Sequence, residues 1–125
     1  MNLTEAQDVV KKFNVDRDWL KNSDDVKDLL LNMCEESSEA WNLIKWVDLK
    51  KQKELINKQH DEWEDFVGDQ LFLIFKIASI AGVDSEKAIK RTIKEYEERF
   101  PVDKIKGKHS NLNASGIDLK YTKGN

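Results

Sequence analysis

Glu35, Glu36 and Glu39 stand together in the run Glu35-Glu36-Ser37-Ser38-Glu39. On a helix, residues three and four apart are neighbours, roughly 5–6 Å between Cβ atoms. Glu36 and Glu35 therefore each project the same way as Glu39. Carboxylates held this close repel one another, and the nearest base downstream is Lys45. Such a group is either a solvated face or a site for a hard cation, because Mg²⁺ takes oxygen ligands and keeps waters for a substrate's phosphates. A second cluster follows in Asp61-Glu62-Trp63-Glu64-Asp65, then Asp69. Glu62, Asp65 and Asp69 are three and four apart and share one face. Two acidic edges meeting around one cation is the chemistry that these residues offer.

The elements that must position them are apolar helices. Leu29, Leu30, Met33, Ala40, Leu43, Ile44 and Val47 form a wide stripe at helical spacing. Glu36 falls three after Met33 and four before Ala40, on or beside that stripe, and an acid facing a core needs a partner. The second acidic face runs into Leu71, Phe72, Ile74 and Phe75.

In chain order, Thr4 with Gln7 reads as a capping box opening a first helix. Val9, Val10 and Phe13 are its apolar side, and Asn14 with the acids after it breaks or bends it. Asn22-Ser23-Asp24-Asp25 is a helix start, and a second helix runs from about Val26 through Trp46. The polar segment from Lys50 to His60 either continues that helix as an exposed arm or forms a hairpin connection. Asp61 and Glu62 suit the N-terminus of a third helix, which Gly82 ends. Asp84 or Ser85 caps a fourth, with Ala88, Ile89, Ile93, Tyr96 and Phe100 at helical intervals, and Pro101 closes it. Beyond Val102 the pattern is lost in a basic tail containing Gly107, Gly116 and Gly124, although Ile105, Leu112, Ile117, Leu119 and Tyr121 suit partial docking. The class is all-α, a four-helix domain over 1–101 with an irregular C-terminal tail over 102–125.

With 125 residues, 39% hydrophobic and 36% charged, the chain suits one domain with a lean core and a densely charged surface. A net charge of −3 argues against binding nucleic-acid polymers. The single cysteine, Cys34, forms no intrachain disulfide and, lying on the apolar stripe, is expected to be a buried, inert thiol. The run from Leu71 to Val83 is too short to span a bilayer, and the N-terminus lacks a basic-then-apolar signal. We expect a soluble cytoplasmic protein. Long apolar stripes on so small a helical chain are often buried against a second copy, so a homodimer or homotetramer is expected.

The order of several motifs resembles a known family. Glu36-Ser37-Ser38-Glu39, with Trp46 ten residues after Glu36, is followed by Gly68-Asp69-Gln70-Leu71-Phe72. Phe13 with Arg17-Asp18-Trp19 lies upstream, and Gly82-Val83-Asp84 and Arg99-Phe100-Pro101 lie downstream. Together these resemble the all-α nucleoside triphosphate pyrophosphohydrolases of the MazG type, near the dCTPase-like branch, from about Phe13 to Pro101. There are two departures. Phe66 stands where the family has Glu three before Asp69, and Tyr96 where it tends to have Asn three before Arg99.

The resemblance implies a four-helix MazG-like bundle that hydrolyses an NTP or dNTP to the monophosphate and pyrophosphate, with Mg²⁺ or alternatively Mn²⁺ as cofactor. Glu36, Glu39, Asp65 and Asp69 are the implied metal ligands; at Phe66 either Asp65 or Glu62 substitutes for the family's acid or the metal site has lost a ligand. Glu35, Glu36 and Glu39 are the implied catalytic set, Glu35 being a support behind the metal ligands, a water-activating base, or plainly solvated. Lys90, Arg91 and Lys94 are candidates for phosphate contact. The segment Lys106-Gly107-Lys108-His109 is either a lid or a solvated tail. Trp19, Trp41 and Trp46 are core anchors by default, while the resemblance puts Trp19 and Trp46 against the base. His60 and His109 show no zinc spacing. The alternatives are a nucleotide-binding regulatory protein with weak or no turnover, motivated by Phe66, and a helical interaction protein whose acids are only solvated.

Overall fold

The computed structural model describes residues 1–20 and 26–121, and among them there is no strand. The expected helix start at Asn22-Ser23-Asp24-Asp25 lies outside the described residues, as does Gly124. The described residues form six α-helices rather than four: α1 (Leu3–Val15), α2 (Val26–Asn42), α3 (Leu49–Lys58), α4 (His60–Ala81), α5 (Ser85–Arg99) and α6 (Val102–Ile105). They fall into two compact units, Met1–Ser85 and Glu86–Asn125.

In the first unit, α4 is the central rod, packed against α1 and α2 and touching α3. Its Leu73, Phe75 and Ala78, with Leu29 and Ala40 of α2, make the buried core. Gly82 sits at φ 67°, a left-handed position where a side chain is strained, and ends α4 as its spacing predicts. Among the described residues no single helix is long and apolar enough to cross a membrane.

Helix α1 is capped by Asn2 and Glu5, not by Thr4 and Gln7. Asn2 Oδ1 accepts from the Glu5 amide at 2.9 Å, and Glu5 Oε2 from the Asn2 amide at 3.0 Å. Asn is as good an N-cap as any residue, which leaves Gln7 for a distant role. Gln7 donates to the Val83 carbonyl at 2.8 Å and accepts from the Ser85 amide at 3.0 Å, tying α1 to the turn after α4.

Helix α2 stops at Asn42, short of the expected Trp46. The chain tightens through Leu43 N–H to Ala40 O and Ile44 N–H to Trp41 O, and Trp46 then takes φ 62°. A left-handed residue cannot continue a right-handed helix. Asp48 starts a new one by accepting from the Lys51 amide at 2.8 Å. The polar segment is thus a separate helix, α3, laced by Glu54 to Lys51 and Lys58 at 3.1 and 2.9 Å.

Two expectations for side chains fail here. Cys34 is exposed: five residues after Leu29, it points away from the line that Leu29 and Ala40 bury. Trp19, Trp41 and Trp46 are 54%, 50% and 87% exposed and anchor no core among the described residues.

In the second unit, Pro101 follows α5 as expected, and the tail docks onto the end of that helix. Asp118, buried, receives Arg99 Nη2 at 2.6 Å and Nε at 3.2 Å, and the Leu119 amide donates to the Arg99 carbonyl at 3.1 Å. Gly116 allows the turn that precedes it, since a Cβ there would run into the backbone of His109 and Asn111.

Candidate functional site

Helices α2 and α4 bring the two acidic edges together on the first unit. Glu36, Glu39, Glu62 and Asp65 line one small hollow, with Ala40, Leu43 and Phe66. Glu36 also lines a second cleft of about 270 Å³, with Asp69, Asn14, Trp19, Asn32 and Lys76 among its walls. Glu36 is therefore the wall shared by both. Helical spacing puts Glu36 and Glu39 on one face of α2, and Asp65 and Asp69 on the facing side of α4.

The electrostatics agree with that geometry. The Glu36 carboxyl is held above its ordinary value of 4.5, first by partial burial and then by the charges of Glu39, Asp69, Glu35 and Asp65. Glu36 thus lies within the fields of Glu35, Glu39, Asp65 and Asp69. Gln70 fixes the approach of the two helices, donating to the Met33 carbonyl at 3.0 Å and to Ser37 Oγ at 2.8 Å.

In kind, the donors fit a hard cation, being carboxylate oxygens on two rods with no soft ligand among them. Among the described residues, however, no three acidic, His or Cys side chains stand close enough to ligate one ion as they lie. Phe66, where the resembled family has an acid, faces the first hollow beside Glu62 and Asp65 and meets Trp63 edge-on at 6.0 Å.

Of the expected base-contacting residues, Trp19 lines the second cleft. Trp46 does not, and instead meets Trp41 edge-on at 5.5 Å, largely in solvent. Lys90, Arg91 and Lys94 stand on α5 in the second unit, with Lys90 paired to Glu86 at 2.6 Å. Sequence reasoning missed Asn14, Asn32, Phe72 and Lys76 as cleft residues. Lys76 carried a visible signal, a lone charge inside the apolar half of α4, its ammonium 5.8 Å from the centre of the Trp19 ring. Asn14 was read only as a helix breaker.

No family model matches the chain, and no curated protein matches it in sequence. Among solved structures, its fold is similar to that of a pyrophosphatase from Archaeoglobus fulgidus, with a TM-score of 0.68 and 23% identity over 78% of this chain and 90% of that one. A likeness at that identity establishes a shared all-helical fold.

Proposed function

We propose that this chain is a Mg²⁺-dependent nucleoside triphosphate pyrophosphohydrolase of the MazG type, clearing unwanted nucleotides by releasing the monophosphate and pyrophosphate. The observation that carries the reading is the double position of Glu36, which borders the acidic hollow on one side and the cleft of Trp19 and Lys76 on the other. A triphosphate held by its phosphates at the acids would lay its base into that cleft. The name pyrophosphatase borne by the structural neighbour agrees with this chemistry.

Glu36, Glu39, Asp65 and Asp69 would hold the cation, with Glu62 beside them. Bound there, Mg²⁺ supplies charge neutralisation for the phosphate oxygens. Glu35, within the field of Glu36, would take the proton of the attacking water as the α–β phosphoanhydride bond opens and pyrophosphate leaves. Gln70 keeps α2 and α4 in register, and Trp19 orients the nucleoside. The exposed Leu30, Trp41, Trp46, Leu49, Leu71 and Ile74 support assembly as a homodimer or homotetramer, since apolar surface of that extent is a liability on a lone chain.

The test is pyrophosphate release from a panel of NTPs and dNTPs with Mg²⁺. Release abolished by Glu39→Gln supports hydrolysis. Phe66 in the acidic hollow motivates a second reading, a nucleotide-binding regulator. Tight Mg²⁺-dependent binding without release would favour that one.

A further inference from the structure

The cleft beside Glu36 includes a residue with a polar atom that finds no partner among the described residues. Asn14 is fully buried. Its amide nitrogen donates to the Val10 carbonyl, one helical turn back, at 2.8 Å. The reverse orientation would set two oxygens against each other, so Oδ1 must face away from that carbonyl. There it accepts no hydrogen bond from any described residue. The backbone carbonyl of Asn14, by contrast, takes the amides of Arg17 and Trp19 at 3.2 and 2.9 Å, and Trp19 lines the same cleft. Proteins rarely bury an acceptor unpaired, and the usual remedy is a water or a ligand N–H.

We propose that Asn14 is a specificity-determining residue. Its Oδ1 accepts from the exocyclic amine of a nucleobase in the cleft that Trp19 and Phe72 line. The site then takes the amino-bearing bases, cytosine and adenine, ahead of their carbonyl counterparts, uracil and hypoxanthine. This rests on the nucleotide reading above and deepens it. A cleft of about 270 Å³ lies just below the usual range for small-molecule sites, and suits a base whose phosphates lie outside, towards Glu36 and Asp69. Asn32 and Lys76 on the same walls supply donors for ring acceptors next to the amine. Trp19, half exposed, is the side chain able to yield as a ring enters. An amine satisfies the buried oxygen, whereas a base carbonyl in its place sets acceptor against acceptor.

The experiment titrates the full chain with dCMP, dUMP, dAMP and dIMP, following tryptophan fluorescence. Pyrophosphate release from dCTP and dUTP is measured alongside. The expected result is that each amino base binds about tenfold or more tightly than its carbonyl partner. Asn14→Leu, with its folding checked by thermal melting, brings both ratios close to one. Equal binding by the wild-type chain overturns the proposal without any variant. So do an absence of binding by all four and a ratio that Asn14→Leu leaves unchanged, the mark of a structural water only. Discrimination through Asn14 without pyrophosphate release upholds the proposal and removes the hydrolase reading. Equal release from dCTP and dUTP, unaltered in Asn14→Leu, does the reverse.

Discussion

Gln70 of α4 reaches Ser37 of α2 at 2.8 Å, one residue from Asp69 on its own helix and one from Glu36 on the other. The same amide also donates to the Met33 carbonyl at 3.0 Å, so a single side chain sets how far apart the two acidic edges stand. Its Oε1 has no partner among the described residues. Gln70→Leu loses two donors but also a buried orphan acceptor, and should cost about 1 kcal/mol or less. Gln70→Glu loses the donors and adds a charge beside Glu36, and should cost about 2 kcal/mol. Urea denaturation of the two variants checks the order.

Glu36 makes the ion-free protein sensitive to pH. Its carboxyl is raised above 4.5, so the folded state binds more protons than the unfolded state across that window. Stability from this group is therefore greatest below 4.5, falls as pH rises through the raised value, and is flat above it. Melting temperatures measured in a chelator should show that fall, and Glu36→Gln should flatten it. Mg²⁺ should reverse the trend, because ligation needs the ionised carboxylate.

Trp46 holds a left-handed backbone while 87% exposed, with Trp41 edge-on to its ring at 5.5 Å. Trp46→Gly relieves a cost of roughly 1–2 kcal/mol and loosens the unfolded chain by a little less. The net stability should change by under about 1 kcal/mol in dilute protein. Turnover or self-association should fall if the ring meets a base or a second copy. Chemical denaturation beside light scattering separates the two effects.

In the second unit, the Asp118 carboxyl is held below its ordinary range, first by its hydrogen bond from Arg99. A depressed acid contributes stability above its unfolded value that is lost as pH falls through the folded one. Asp118→Asn should remove that dependence and expose the residues after Pro101 to proteolysis at neutral pH. Limited digestion with mass spectrometry reads the cut sites.

Much of this architecture is legible in residue order, and the rest fails for definite reasons. Gly82 and Pro101 are local signals with one backbone meaning each, and α4 and α5 end where they stand. The end of α2 carries no such signal, because a tryptophan in the left-handed region is not a pattern that sequence announces. Thr4 and Gln7 satisfy a capping rule, but Asn2 and Glu5 satisfy it one step earlier. An apolar stripe tells which side chains could be buried and not whether a neighbour exists to bury them, so Cys34 and the tryptophans were misplaced. The acids were visible in residue order because like charges at helical spacing are unusual. Asn14 was not, because its meaning lies in which of its atoms is left unpaired.

The central claim is that Glu36, Glu39, Asp65 and Asp69 work as one cation-dependent group on a nucleoside triphosphate. Its most direct measurement is pyrophosphate release from nucleoside triphosphates as Mg²⁺ is titrated, for the wild-type chain and for Glu36→Gln. The account predicts release that saturates with Mg²⁺ in the wild type, and at least a hundredfold loss, about 2.7 kcal/mol, in the variant. Release independent of the ion, or unchanged in Glu36→Gln, would contradict it.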